Sequence, residues 1–330
     1  MPDQVPQFDI EAIARLAMVL YGMEGEISPL VSFEDQNARI KTSGGSYVLK
    51  IANKRWAIDG LYMQADAIEH LRTKAPELPL PRIVPTRTGE AITVIDGFAV
   101  RLFTFLEGNL LGTASRSPEL YHDLGCFMGR FSKAMQDYSH PAAHRPDDLW
   151  NLDNVMSCKV YLQDVSGEGV RARIERFYKT YENNTLPTLQ YLRKSVIHND
   201  ANEHNLLVTT DEPAKIAGLI DFGEVQFGTH INELAITLAY ALLGEHDIET
   251  AARKIIQGYM QEFMLEAGEL EVLPDLMAMR LVQSIIMTSN RARDFCGNAY
   301  ISVSQEPVRA LLKKLEEENS CVELKNKIHP

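Results

Sequence analysis

Two short segments carry carboxylates and an amide in a pattern that suits phosphoryl transfer. In the first, His198, Asp200 and Asn205 form an H-x-D-x-x-x-x-N sequence between apolar runs, and in the second Asp221 begins a D-F-G turn. Phosphoryl transfer requires an acceptor hydroxyl in line with the phosphate, a carboxylate that takes its proton, and a metal that neutralises the phosphates. We therefore predict that Asp200 is the base and that Asn205 and Asp221 bind Mg²⁺ through hard oxygen atoms. His198 has a predicted structural role, as a brace for the D-F-G turn.

The two segments support each other. Either one alone is weak, because polar loops and Asp-Gly turns are common in proteins of any function. Their close succession, each after an apolar strand, favours a phosphotransferase over the alternative of a capped loop followed by an ordinary turn.

A lysine suited to holding phosphates lies earlier in the chain. Lys50 stands alone in the apolar run 47–51, as the lysine does in the V-A-I-K strand of kinases. The alternative is a lysine on the solvated face of a sheet. A carboxylate on the following helix is expected to pair with Lys50, and of Asp66 and Glu69 we prefer Asp66.

Other nucleotide contacts are predicted from position. No G-x-G-x-x-G covers the phosphates, so the turn at 32–37, which ends in Asn37, is the candidate phosphate loop. The segment 103–108, with Thr104 and Leu106, is expected to hold the nucleotide base through backbone groups. Backbone contacts leave no side-chain signature, so both ATP and GTP remain candidate donors.

Local patterns predict an α+β fold with a bilobal, protein-kinase-like arrangement. The first lobe, 1–105, is predicted to bind the nucleotide through a five-stranded antiparallel sheet. The hairpin signals Ser43-Gly44-Gly45 and Asp96-Gly97 connect its strands. The expected helices are 9–21 and 57–73, and the expected strands are 27–33, 37–42, 46–52, 91–95 and 98–105.

The second lobe, 106–330, is predicted to be larger, mainly helical, and to carry catalysis and acceptor binding. Its first helix, 117–137, opens with Ser117 as N-cap and Pro118 at the first helical position. Further helices are expected at 170–193, 230–243, 247–266, 270–291 and 306–318, with short strands at 196–198, 206–208 and 215–220.

Composition limits the partners. The 330 residues include 33 Lys and Arg against 45 Asp and Glu, and the net charge of −12 disfavours nucleic acid and anionic membranes. No apolar run is long enough for a membrane span and no leader pattern precedes the first helix, so a cytoplasmic location is expected. The cysteines are too scattered to predict a zinc site or a disulfide framework: Cys126, Cys158, Cys296 and Cys321.

The motifs resemble those of the aminoglycoside phosphotransferase, choline kinase and homoserine kinase superfamily. Protein kinases have a long activation segment and an A-P-E sequence after D-F-G, whereas here 224–228 leads directly to an apolar helix. The resemblance therefore implies a small-molecule acceptor that carries a hydroxyl group.

Within that superfamily the chain is most similar to the hydroxylysine kinase group. The resemblance implies 5-hydroxylysine as acceptor and, by family habit, GTP as donor; homoserine, choline and aminoglycosides are the alternatives. A nucleotide-binding pseudokinase is the alternative from another class of protein. The chain departs from the pattern at Glu203 and Glu224, where aspartate is usual. The similar segments are 100–108, 150–152, 202–205, 220–224 and 280–284.

Four residues are candidates for binding the acceptor. Glu203 and Glu224 flank the catalytic segments and suit a substrate ammonium group, unless they are solvated loop carboxylates. Arg280 suits a carboxylate through paired hydrogen bonds, unless its stem lies on apolar surface with its head in water. Trp150 suits packing on a substrate chain, although a lone tryptophan is more often part of a core.

Overall fold

The chain forms two compact units. A computed structural model describes residues 4–32, 35–294 and 305–317. The first unit is Met1–Glu107 together with Gly218–Gly223, and the second is Gly108–Ala217 together with Glu224–Pro330. The division after residue 107 lies two positions beyond the predicted border, and the return of 218–223 to the first unit was not predicted.

The first unit contains a six-stranded antiparallel sheet of order β1-β2-β3-β6-β4, with β5 paired to β6. All five predicted strands are present in this sheet, and it contains one further strand that the sequence did not predict. The additional strand, β4, lies in a proline-rich stretch and is only two residues long. The strands are β1 (Glu26–Leu30), β2 (Gln36–Thr42), β3 (Gly45–Ile51), β4 (Ile83–Val84), β5 (Thr93–Ile95) and β6 (Phe98–Thr104).

Both predicted hairpins are present. Thr42 pairs with Gly45 across a two-residue turn, and Gly45 has a φ of 144°. Asp96 and Gly97 have φ values of 53° and 80°, the positive values that a tight turn between twisted strands requires.

Side chains alternate between the two faces of this sheet. One face buries apolar residues under α1 (Ile10–Leu16) and the π-helical turn that continues it to Tyr21. The opposite face carries Lys50 and its cross-strand neighbours, because successive residues of a strand point to opposite sides. Helix α2 (Ile58–Lys74) packs near that second face, where its buried Gln64 accepts a hydrogen bond from Arg101.

The second unit is mainly helical. Most predicted helices are confirmed, although the one expected at 170–193 ends at Asn184 and is followed by a separate 3₁₀ turn. Residue 318, the last of the final predicted helix, lies outside the described residues. The helices are α3 (Pro118–Ala134), α4 (Glu168–Asn184), α5 (Asn232–Ala241), α6 (Ile248–Glu262), α7 (Ala267–Asp294) and α8 (Gln305–Glu317).

Short strands of the second unit frame the predicted catalytic loop. Strand β8 (Lys194–Ile197) enters the loop and β9 (Leu206–Val208) leaves it. β8 pairs with β11 (Gln226–Thr229), and β9 pairs with β7 (Asn109–Leu110). Strand β10 (Ile216–Leu219) carries the chain toward D-F-G. The prediction missed β7, β11 and a 3₁₀ helix at Leu152–Asp164.

Helices α3 and α6 touch backbone to backbone. A Cβ atom on Gly125 of α3 would lie 2.0 Å from the carbonyl oxygen of Ile255, and one on Gly258 of α6 would lie 2.1 Å from that of His122. Because no side chain fits at either position, these glycines set the distance between the two helices. Ser117 caps α3 as predicted, accepting a hydrogen bond from the backbone N–H of Leu120.

Helix α5 is the apolar helix that the sequence predicts after residue 228, and all of its residues are buried. Its burial agrees with its sequence, since a helix that is apolar over most of its surface avoids water. Across the described ranges, no helix combines the length and hydrophobicity needed to cross a membrane.

Candidate active site

The loop between β8 and β9 holds Asp200 by hydrogen bonds. Nδ2 of Asn205 donates to Oδ2 of Asp200 at 2.8 Å and to its backbone oxygen at 2.9 Å. Nδ2 of Asn202 donates to Oδ1 of Asp200 at 3.0 Å. Since both hydrogen bonds of the Asn205 amide nitrogen go to Asp200, the carbonyl oxygen of Asn205 is the atom that can bind a cation.

The backbone of this loop is hydrogen-bonded to a buried carboxyl group of α5. Glu233 accepts a hydrogen bond from the backbone N–H of His198, and burial raises the pKa of Glu233 to about 8. Asn199 adopts a left-handed conformation with a φ of 65°, which asparagine tolerates better than most residues. Helix α5 therefore fixes the backbone immediately before Asp200.

His198 is fully buried and serves the same loop. Its Nδ1 lies 3.3 Å from the backbone nitrogen of Asp200, and its ring packs edge-on to Phe131 of α3 at 6.0 Å. These contacts give His198 a place in the packing around the loop. Its predicted contact with the D-F-G turn stays a prediction.

Arg280 is buried beside Asp200. Its Nη2 is 3.2 Å from Oδ1 of Asp200, and the side chain is completely buried within α7 and its surroundings. The sequence suggested that this guanidinium binds a substrate carboxylate, whereas in the structure it already has an anionic partner within the protein. Burial was the missing information, because the apolar neighbours of Arg280 fit both an exposed and a buried arginine.

Trp150 is half-buried between two guanidinium groups. Arg280 lies 5.0 Å and Arg291 5.3 Å from its ring centroid, and the backbone oxygen of Trp150 accepts a hydrogen bond from Arg280. Cations over an indole face are attracted by its electrons. Trp150 therefore belongs to the surroundings of Asp200, where contact with an acceptor stays a prediction.

Glu203 and Glu224 differ in their surroundings. Glu203 is buried, with Oε1 3.4 Å from Nε2 of His204, so it is not the solvated loop carboxylate of the alternative interpretation. Glu224 is half-buried, with Oε2 3.5 Å from Arg145, and burial raises its pKa. Both carboxyl groups lie in the second unit, as Asp200 does.

In the first unit, Lys50 pairs with Asp221. Nζ of Lys50 lies 3.2 Å from Oδ1 of Asp221, which also accepts a hydrogen bond from the backbone N–H of Gly223 at 3.2 Å. Asp221 adopts a φ of 63°, a conformation that costs free energy and is often found at functional turns. Lys50 and Asp221 are thus brought together, and Lys50 is not merely a solvated lysine.

The predicted pairing of Lys50 with Asp66 on α2 stays a prediction. Asp66 is exposed, Glu69 pairs with Arg72 on the same helix, and the ion pair of Lys50 is with Asp221. Asp66 and Glu69 both lie outside the buried face of α2.

Gln64 and Arg101 are polar residues that the site prediction missed. Arg101 is buried opposite Lys50 on β6, and its Nη1 donates to Oε1 of the buried Gln64 at 2.7 Å. Burial lowers the pKa of Arg101, while Asp35 and Asp221 oppose that effect. An arginine inside the apolar run of β6 was a visible signal, since a charge is rarely buried without a partner.

Asn37 lies in β2, at the residue where the predicted turn 32–37 meets the predicted strand 37–42. It pairs across the sheet with Lys50, so it adjoins the lysine through strand register. Phe33 and Glu34, also in the predicted turn, lie outside the described residues. The carboxylate of Asp35 in this turn accepts hydrogen bonds from the backbone of Asn53 at 2.9 Å and from Nε1 of Trp56 at 3.0 Å.

The segment predicted to hold the nucleotide base begins at the end of β6. Thr104 is tied to Arg82, whose backbone N–H donates to Oγ1 of Thr104 at 2.9 Å. The Leu106 side chain packs so closely on Gly218 that a Cβ atom there would lie 2.6 Å from it. Nucleotide contacts by Thr104 and Leu106 stay predictions.

The candidate metal ligands have suitable chemistry. Asn205 offers a carbonyl oxygen and Asp221 a carboxylate, and Mg²⁺ prefers such hard oxygen atoms together with water and phosphate. Asp221 is half exposed, so water and phosphate can reach its oxygens. Each residue therefore fits a metal-binding role within its own unit.

Comparison with solved structures identifies the class of fold as that of small-molecule kinases. An amicoumacin kinase in complex with AMP-PNP, Ca²⁺ and Ami superimposes with a TM-score of 0.69 over 93% of this chain and 94% of that one. Sequence identity is 17%, so this likeness shows the fold alone.

The sequence itself defines the family. Residues 26–268 match the model of APH, the phosphotransferase enzyme family, and the chain belongs to that family. It is therefore a small-molecule kinase, an enzyme that transfers a phosphoryl group to an alcohol group.

Curated relatives are kinases of amino acids. A hydroxylysine kinase of Xenopus laevis is 29% identical over 308 residues, which cover 86% of this chain and 82% of that protein. A homoserine kinase of Nitrobacter winogradskyi is 27% identical over 249 residues, covering 73% and 71% respectively. The predicted resemblance to the hydroxylysine kinase group is confirmed.

Proposed function

We propose that this kinase uses Mg²⁺ with ATP or GTP to phosphorylate the hydroxyl group of an amine-bearing amino acid, with 5-hydroxylysine as the first candidate. The observation that carries this choice is the similarity to hydroxylysine kinases, which spans most of both chains. Homoserine is the second candidate, because the homoserine kinase similarity is also extended but covers less of the chain.

Asp200 is the base in this proposal. It accepts the proton of the acceptor hydroxyl as the hydroxyl oxygen bonds to the γ-phosphorus and the nucleoside diphosphate leaves. The amides of Asn202 and Asn205 hold its carboxylate, and Glu233 holds the backbone before it. Fixed in this way, Asp200 needs little reorganisation when the acceptor arrives.

The negative charge of the triphosphate is neutralised in this proposal by Mg²⁺, bound by Asn205 and Asp221, and by Lys50. The oxygens of Asn205 and Asp221 would bind Mg²⁺, which neutralises phosphate charge when bound. Lys50 now neutralises Asp221 and is free to turn to a phosphate oxygen once a metal takes over that role. Asn37 and Arg101 flank Lys50 in the sheet and keep its surroundings polar.

Carboxylates of the second unit are assigned to the ammonium groups of the acceptor. Glu224 is the first choice, because it is half-buried beside Arg145 and partly open to a ligand. Glu203 is buried and pairs with His204, so its effect is on the charge of the site more than on direct contact. Trp150 would pack against the methylene chain of the acceptor.

The proposal is tested by measuring product formation with a panel of acceptors. We expect nucleoside diphosphate release and a new phosphate ester signal in ³¹P NMR with 5-hydroxylysine, and none with lysine, which differs only in the missing hydroxyl. Homoserine, choline and an aminoglycoside are run in parallel with ATP and with GTP. Turnover of homoserine alone would move the assignment to the second candidate.

Thermal shift separates binding from catalysis. A ligand that binds the native state raises its melting temperature, so Mg²⁺ with ATP or GTP should stabilise the wild type and Asp200→Asn alike. Nucleotide binding without transfer to any acceptor would contradict the proposed function and favour a pseudokinase.

A further inference from the structure

Arg280 is a buried cation in direct contact with the proposed base. It lies in the middle of α7, among the largest side chains that the protein buries completely. Its Nη2 is 3.2 Å from Oδ1 of Asp200. A guanidinium removed from water needs an anion and hydrogen-bond acceptors to replace its hydration. Asp200 supplies that anion, so the two charges depend on each other.

The guanidinium is itself held in one orientation. Its Nη1 donates to the backbone oxygen of Trp150 at 3.2 Å and to Oε1 of Gln283 at 3.0 Å. Gln283 in turn donates to the backbone oxygen of Leu149 at 2.8 Å. The ring centroids of Trp150 and Tyr240 lie 5.0 Å and 5.5 Å from the guanidinium carbon. Helix α7 thus carries a fixed donor to Asp200.

We propose that Arg280 is a positioning residue that holds the Asp200 carboxylate in the orientation needed to accept the proton of the acceptor hydroxyl. The inference rests on the proposed function, because it takes Asp200 to be the base. Arg280 and Asn202 donate to Oδ1, and Asn205 donates to Oδ2, at 3.2, 3.0 and 2.8 Å. With donors on both oxygens, rotation of the carboxylate breaks hydrogen bonds.

This role differs from the acceptor binding that the sequence suggested. A residue that orients the base acts when the proton moves, so its loss lowers kcat. A residue that binds the acceptor in both the ground and the transition state changes KM when it is lost. The ratio of the two effects therefore separates the two roles of Arg280.

The experiment compares Arg280→Met and Arg280→Lys with the wild type, using the acceptor that the panel identifies. We expect Arg280→Met to lower kcat by on the order of 100-fold, as a misplaced catalytic group does, with the acceptor KM changed by less than about threefold. Arg280→Lys should keep more of the activity, because it retains the charge without the planar fork. A raised KM with unchanged kcat would overturn the inference.

Arg193→Met provides the matched control. Arg193 belongs to the same unit and pairs with the fully buried carboxylate of Glu269, so its loss also removes a guanidinium from a buried partner. We expect the kcat of Arg193→Met to stay within about twofold of the wild type. A loss of kcat equal to that of Arg280→Met would show that destabilisation explains both, and would overturn the positioning role.

A second measurement does not depend on turnover. Melting temperatures of Arg280→Met, Asp200→Asn and the double variant form a cycle in which interacting residues give non-additive changes. We expect the double variant to lose less than the sum of the single losses, and strictly additive losses would overturn the inference. If the wild type phosphorylates no acceptor, the proposed function fails, and this cycle still decides whether Arg280 and Asp200 act as a pair.

Discussion

Two ion pairs of the same length hold the chemistry-bearing carboxylates, and they are built differently. Lys50–Asp221 in the first unit and Arg280–Asp200 in the second both measure 3.2 Å. The side chains of the first pair are 17% and 49% exposed, and those of the second are 2% and 25% exposed. A flexible ammonium neutralises the proposed metal ligand, whereas a buried planar guanidinium holds the proposed base.

The two pairs differ in how easily the basic side chain can be displaced from its carboxylate. A carboxylate that must bind a metal benefits from a partner that can be displaced, and a lysine paired with the half-exposed carboxylate of Asp221 is such a partner. A carboxylate that must accept a proton at one angle benefits from a partner that stays in place. Burial, and not distance, distinguishes the two situations.

The largest expected effect comes from neutralising each carboxylate in turn. Asp200→Asn should lower kcat by about 10²- to 10⁴-fold, because the base is lost, while Mg²⁺-nucleotide binding remains. Asp221→Asn should instead weaken binding of the Mg²⁺-nucleotide. Steady-state kinetics and calorimetric titration check both variants. Loss of nucleotide binding in Asp200→Asn with normal binding in Asp221→Asn would contradict the proposed roles of both carboxylates.

The next effect is on stability. Arg280→Met leaves a carboxylate without its buried partner and should destabilise the protein by about 3–5 kcal/mol. Lys50→Met removes a partly solvated partner and should cost about 1 kcal/mol or less. Urea unfolding followed by a probe in each unit measures both variants. Equal losses would mean that burial does not separate the two pairs.

The protein should also lose stability in acid through His230, a buried histidine of the second unit. Nδ1 of His230 lies 2.7 Å from Ser195 Oγ and 3.0 Å from Gln136 Nε2, and its Nε2 lies 3.1 Å from the Tyr259 hydroxyl. Burial lowers the pKa of His230 from 6.5 to about 4. Between pH 6.5 and pH 4 this histidine is protonated in the unfolded chain but neutral in the folded chain. The free energy of unfolding therefore decreases as the pH falls.

The contribution of His230 should reach about 3 kcal/mol at pH 4 and level off at slightly lower pH. Denaturant unfolding between pH 7 and pH 4 measures the loss, with His230→Gln as the variant that cannot take up this proton. We expect a shallower dependence on pH in the variant. The same slope in both proteins would show that His230 is not the group responsible.

The smallest expected effect is a difference in stability between variants of two residues of α2, Gln64 and Asp66. Gln64→Leu removes the acceptor from the buried guanidinium of Arg101 and should cost about 1–3 kcal/mol. Asp66→Ala changes an exposed residue and should stay within about 0.5 kcal/mol. Melting temperatures and the KM for nucleotide are measured for both. A larger loss from Asp66→Ala, with a raised KM for nucleotide, would support the predicted pairing of Asp66 with Lys50.

Much of this fold could be predicted from local signals. The hairpin turns, the N-cap at Ser117 and the alternating strands around Lys50 depend on residues that lie close together in the sequence. The two-residue strand β4 could not be found in this way, because only pairing with β6 makes it a strand. The same limit applies to β11, which pairs with β8.

The candidate site shows where that limit falls. Motif spacing placed Asp200 and Asn205 on one loop, where the structure joins them by hydrogen bonds. The pairs Lys50–Asp221 and Arg280–Asp200 join residues 171 and 80 positions apart. No local pattern selects such partners, since they depend on how whole helices and strands pack.

The position of α7 has a consequence for the order in which the enzyme is made. Asp200 and Asn205 leave the ribosome well before Arg280, which lies 80 residues beyond Asp200. A nascent chain that ends before α7, or a fragment cut at residue 266, contains both motif residues but lacks the helix that carries the guanidinium. The motif residues are therefore complete during translation before the guanidinium that we propose orients Asp200 has been made.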